Sequence, residues 1–97
     1  MNKYIVAIED LEEQEELEFK EFIEEYGLGW WHWIDNVWLI VDSRNRINIG
    51  MIRDELKKIS RDSYSLVMEV NDNTWAGWGP SGENKDMFKW LKNTWNR

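Results

Sequence analysis

The spacing of hydrophobic and polar positions changes several times along this chain, and each change marks an element. Lys3-Tyr4-Ile5-Val6-Ala7-Ile8 is a short β-branched apolar run closed by Glu9-Asp10, which reads as a buried strand. From Leu11 the period lengthens to that of a helix. Leu11, Phe19, Phe22, Ile23 and Tyr26 fall on one stripe, and glutamates fill the remaining positions. Asp10 stands where an N-cap belongs and Gly27 where the helix stops. Leu17 is the misfit, lying nearly opposite the stripe among Glu13, Lys20, Glu21 and Glu24.

Residues 29–42 predict a hairpin turning at Asp35-Asn36, two residues that tolerate left-handed backbone. With a two-residue loop, Ile34 pairs with Val37, Trp33 with Trp38 and Trp31 with Ile40. Trp31, Trp33, Trp38 and Ile40 then share one face, and Trp30, His32, Ile34, Val37, Leu39 and Val41 the other. Neither face is polar, so cover is expected on both sides. After the polar loop Ser43-Arg44-Asn45-Arg46, Asn48 is placed to cap a second helix carrying Ile49, Ile52, Leu56 and Ile59. Residues 64–70 alternate as a strand, with Tyr64, Leu66, Met68 and Val70 on its apolar face and Ser65 and Glu69 on its solvated one. The stretch 75–82 is irregular, and Met87, Phe88, Leu91 and Trp95 predict a closing helix from Asn84. The order β-α-β-β-α-β with right-handed crossovers leads to an α+β class, a ferredoxin-like sandwich over 1–97 with a short C-terminal helix.

Length and charge narrow the function classes. Ninety-seven residues suit one domain, and no apolar run approaches the roughly 20 residues that span a bilayer. The first residues lack an apolar signal region, so a cytoplasmic protein away from the membrane is expected. With no cysteine and one histidine, neither a metal site nor a cofactor is expected. The net charge of −7 is concentrated: residues 1–26 carry ten acids against two bases, a net of −8, and the rest is nearly neutral. Such a surface repels phosphate backbones and disfavours nucleic acid as a partner.

Several groups carry candidate chemistry. Glu9 and Asp10, at the carboxyl end of the first strand, act either as a helix cap and a solvated acid or as metal-binding carboxylates brought together by dimer symmetry. Histidine is the side-chain type suited to general-base work near neutral pH, but His32 has no Ser, Cys or Lys partner at a recognisable spacing, which favours a structural role. Arg44, Arg46, Arg53 and Lys57, with Lys58 and Arg61, form the basic cluster; they contact a phosphate or they offset the glutamates of the first helix, and the second reading is favoured. Eight tryptophans exceed what a core of this size encloses, so Trp31, Trp33 and Trp38, and beside a Gly-rich loop Trp75 and Trp78, are candidate interface anchors or stacking platforms. Glu13, Leu17, Glu21 and Glu24 form a candidate binding face on the first helix.

The run Leu28-Gly29-Trp30-Trp31-His32, then Asp35 and Val37-Trp38-Leu39-Ile40-Val41, resembles the centre of the small bacterial "SinR family" proteins. Ile52-Arg53-Asp54-Glu55-Leu56, Leu66-Val67-Met68-Glu69-Val70, Trp75-Ala76-Gly77-Trp78 and Trp90-Leu91 are similar too. Those proteins are in turn similar in fold to the CRISPR adaptation nuclease-like group and the virulence-associated D ribonucleases. The resemblance implies a ferredoxin-like homodimer. In the nuclease-like relatives an acid at the end of the first strand serves metal-dependent phosphodiester cleavage, a place held here by Glu9 or Asp10. Two functions are therefore expected to compete. One is a dimeric, non-catalytic binding or inhibitor protein, suited to a phage or accessory gene, that engages a protein partner or small nucleotide through its acidic helix and tryptophan surface. The other is a metal-dependent endoribonuclease.

Overall fold

Apolar strands need partners for their backbone as well as their side chains. In the computed structural model, which describes residues 1–96, four strands satisfy that need in one antiparallel sheet. The strands β1 (Asn2–Ile8), β2 (Gly29–Ile34), β3 (Val37–Asp42) and β4 (Ser65–Val70) lie in the order β2-β3-β1-β4. Helix α1 (Glu13–Glu25) connects β1 to β2, helix α2 (Ile49–Ile59) connects β3 to β4, and a π-helical turn, Leu91–Trp95, follows the long loop after β4. The class is α+β. Among the described residues no helix is long and apolar enough to cross a membrane.

The two faces of the sheet are covered by different parts of the chain. On the helix face, Tyr4, Val6 and Ile8 of β1 and Trp38 and Ile40 of β3 meet Phe19, Phe22 and Ile23 of α1 and Ile52 and Leu56 of α2. These helical residues lie on the stripes that the sequence periodicity defines, and each large apolar side chain buried this way contributes about 1.5–3 kcal/mol. On the opposite, tail face, Trp31 and Val41 pack with Met87, Leu91 and Trp95, and Ile5, Val37, Leu39 and Val70 border them. Lys3 fastens this second layer: its buried ammonium donates to the Asp72 carbonyl (3.1 Å), to Asn73 Oδ1 and to the Trp95 carbonyl (3.3 Å), and lies 5.0 Å from the Trp95 ring centre.

Loops are held by side chains that reach the backbone. Buried Asp42 accepts the Ile47 N–H at 2.8 Å, and Asn48 caps α2 by accepting the Met51 N–H at 3.0 Å. Gly27 ends α1 in the left-handed region at φ 64°.

Four expectations are corrected. The hairpin pairs Ile34 with Val37 as anticipated, but Trp31 then meets Leu39 and Trp30 meets Ile40, because the register shifts between Trp31 and Ile34. His32 and Trp33 together oppose Trp38 in a β-bulge, which moves Trp31 to the tail face while Trp38 and Ile40 stay on the helix face. In β4, pairing of Met68 with Ile5 and Leu66 with Ala7 fixes the pleat, so Val67 turns to the helices and Tyr64, Leu66 and Met68 remain exposed. Helix α1 starts at Glu13, with Glu12 as N-cap and the Glu15 carboxylate accepting the Glu12 N–H at 2.9 Å; Asp10 lies outside the cap. The closing helix is shorter than the stripe from Asn84 implied, although Met87, Leu91 and Trp95 are buried.

Candidate interaction surface

The expected patch of Trp31, Trp33 and Trp38 does not form. Trp31 is buried on the tail face, where its Nε1 donates to the Met87 carbonyl at 2.7 Å. Trp38 is fully buried on the helix face, edge-on to Phe19 (5.0 Å between ring centres) and stacked on His32 (3.8 Å). Its own indole N–H has no hydrogen-bond partner. His32 is structural: Nδ1 lies 3.0 Å from the Val37 carbonyl and Nε2 lies 2.8 Å from Glu16 Oε1, so the bulge is tied both to β3 and to α1. Trp33 is partly exposed. Trp75 is half-buried, donates to Asn96 Oδ1 at 2.8 Å and stacks on Phe88, whereas Trp78 is 97% exposed.

The carboxylates at the end of β1 also take structural positions. Glu9 accepts the Tyr64 N–H through Oε1 and donates its own N–H to the Tyr64 carbonyl at 3.1 Å, holding β1 to the start of β4. Asp10 is exposed beside it. Among the described residues no three His, Cys, Asp or Glu side chains gather in a way that could hold a metal ion.

The basic cluster is dispersed. Arg46 donates to the Tyr26 carbonyl at 3.3 Å, at the negative end of the α1 dipole, and Arg53 pairs with neighbouring Asp54 at 2.9 Å. Arg44 and Lys57 are exposed. The expected pairing of α2 cations with α1 glutamates is absent among the described residues: the ion pair that α1 makes is Glu16 with His32, and Lys58 turns to Glu55 on its own helix.

Consequently the outer glutamates of α1 face water without an ion pair to α2 among the described residues. Glu13, Leu17, Glu21 and Glu24 are all exposed along one side of the helix. Between α1 and α2 runs a trench of about 390 Å³ lined by Glu18, Glu21, Glu25 and Glu55, with Phe22 and Ile59 in its lining and Lys58 its one cation. The sequence signal for it was the excess of acids; what hid the trench was the expectation that α2 would neutralise them.

A second feature lies on the tail face. The loop after β4 and the π-helical turn cover part of the sheet and leave a cleft of about 240 Å³ lined by Trp31, Trp75, Met87, Leu91 and Trp95 over Ile5, Val37 and Leu39. Val37 also borders the neighbouring hollow with Ala7, Tyr64 and Leu66. Lys3, which holds the cover in place, was missed by sequence reasoning; a lysine inside a β-branched run was its signal. Comparison of the chain with known protein families, curated proteins and solved structures finds no match.

Proposed function

We propose that this chain is a non-catalytic binding protein of ferredoxin-like fold that holds a basic segment of a partner protein in the acidic trench between α1 and α2. The trench itself carries this reading: Glu18, Glu21, Glu25 and Glu55 converge on one depression against the single cation Lys58. Low-dielectric walls around charges of one sign concentrate the field, which speeds encounter with an oppositely charged partner and repels like-charged ones. Phe22 and Ile59 offer apolar contact for the aliphatic stems of bound Lys or Arg. Exposed Leu17, on the outer side of α1, gives the acidic surface one apolar anchor. Such a protein suits the role of an inhibitor, carried by a phage or accessory gene, that occupies a basic surface in the cytoplasm.

The strand order and the two helices on one face support the ferredoxin-like assignment. Kinship with the "SinR family" proteins belongs to the same proposal. The test uses a short Lys/Arg-rich peptide as probe. Binding that weakens steeply with salt, and by about tenfold or more when Glu18, Glu21 and Glu25 are changed to Lys, is expected. Unchanged affinity in that variant removes the trench. Cleavage of labelled RNA or DNA that needs Mg²⁺ or Mn²⁺ and is lost in Glu9→Ala or Asp10→Ala would replace this reading with a nuclease.

A further inference from the structure

Small-molecule sites are mostly apolar and aromatic, with a few placed polar groups that fix the ligand's orientation. The tail-face cleft has that make-up. The rings of Trp31, Trp75 and Trp95 form its walls over Ile5, Val37 and Leu39, and it holds about 240 Å³. A cavity of about 150 Å³ takes up a benzene, so this one admits a single aromatic ring with a short side arm.

Its polar groups decide what the arm must carry. Trp31 Nε1 donates to the Met87 carbonyl and Trp75 Nε1 to Asn96 Oδ1, so both N–H groups are spent within the fold. Besides the indoles, the polar side chains in the lining are Asp72 and Thr74. Thr74 turns its hydroxyl and its backbone N–H to Asp72 Oδ1, each at 3.0 Å. Chiefly through those bonds, the Asp72 carboxyl is held below the usual carboxylate range and is ionised at neutral pH. The nearby Lys3 ammonium already donates to the Asp72 and Trp95 carbonyls and to Asn73 Oδ1. The rim therefore presents acceptors, a carboxylate foremost. Indole rings also attract ammonium groups, as Lys3 shows by lying 5.0 Å from the Trp95 ring centre. The chain's net charge of −7 adds to the preference for a cation over an anion.

We infer that the tail-face cleft binds a small aromatic amine, its ring among Trp31, Trp75 and Trp95 and its ammonium donating to the Asp72 carboxylate. The inference does not rest on the acidic trench, which lies between the helices on the other side of the sheet. Isothermal titration calorimetry of the full chain with three probes tests it. Tryptamine carries ring and ammonium, indole the ring alone, and indole-3-acetate the ring with an anionic arm. Tryptamine should bind with a Kd below about 1 mM, a range open to a ligand of about twelve non-hydrogen atoms. Indole should bind about tenfold more weakly, and indole-3-acetate more weakly still. Asp72→Asn should bring tryptamine to the level of indole and leave indole unchanged. Trp75→Leu should weaken both, with far-ultraviolet circular dichroism as in the native protein. An amine is drawn to any acidic surface, so the variant with Glu18, Glu21 and Glu25 changed to Lys is the control, and it should bind tryptamine within about twofold of the native protein. Equal affinity for the three probes, or no binding of tryptamine by about 10 mM, overturns the inference. Loss of binding in the trench variant with full binding in Asp72→Asn overturns it as well. Failure of the basic-peptide test would leave each of these outcomes unchanged.

Discussion

Truncating Trp38 measures how much of the helix-face core depends on one ring. Its centre lies 3.8 Å from that of His32, 5.0 Å from that of Phe19 and 5.6 Å from that of Trp30, and none of its surface reaches water. Trp→Ala in a packed core costs about 3–5 kcal/mol. Each aromatic pair adds about 0.5–1.5 kcal/mol beyond burial, so Trp38→Ala is expected near 5 kcal/mol. That approaches the whole stability of a small domain, about 5–15 kcal/mol. Trp38→Phe differs in kind, because it keeps a ring in place and removes the indole N–H that has no partner. Relief of an unpaired buried donor, about 1–3 kcal/mol, offsets much of the lost contact and leaves a net cost within about 1 kcal/mol. Urea unfolding followed by circular dichroism separates the two. With a slope near 1.5 kcal/mol/M, Trp38→Ala should lower the midpoint by roughly 3 M and Trp38→Phe by well under about 1 M. Equal losses for the two variants would refute the reasoning, since they would show that the indole N–H is satisfied in the folded protein.

Two other outcomes follow from local chemistry. Burial raises the Tyr4 phenol above its ordinary 10.0, so the folded state favours the neutral form. Its stabilising contribution is complete below that value and disappears as pH rises through the folded pKa; Tyr4→Phe should therefore flatten the alkaline fall in melting temperature, and an identical fall in both proteins would count against the assignment. At the start of α1, Glu15→Ala should cost about 0.5–1 kcal/mol by freeing the Glu12 N–H, while Asp10→Ala should cost less; the reverse order in thermal unfolding would return the cap to Asp10.

Much of the helix face was legible from residue order alone. Phe19, Phe22 and Ile23 on α1, Ile52 and Leu56 on α2, and Asn48 as cap stand where period and chemistry put them. What was not legible depends on pairing across the sheet. Periodicity says that Leu66 and Met68 share a side, but only their pairing with Ala7 and Ile5 decides that this side is the tail face, where the cover is incomplete. Likewise, the acid count located charge on α1 without showing that Arg46 reaches the Tyr26 carbonyl and Arg53 turns to Asp54, which leaves Lys58 as the cation in the trench lining.

The bulge at His32 and Trp33 works as a change of phase within one strand. Upstream of it Trp30 serves the helix face and Trp31 the tail face; downstream, Ile34 again belongs with Val37 on the tail face. With Trp33 present but no bulge, the same turn would exchange Trp30 with Trp31 between the faces. Deleting Trp33 would instead give a regular ladder that keeps Trp30 against Ile40, Trp31 against Leu39 and Ile34 against Val37, so the choice between bulged and regular pairing exists because Trp33 is there. A growing hairpin faces the same choice before the helices dock, because the unbulged pairing closes from the same Asp35-Asn36 turn. Docking of α1 selects the bulged form, since only there can His32 stack on Trp38 while Glu16 holds its Nε2.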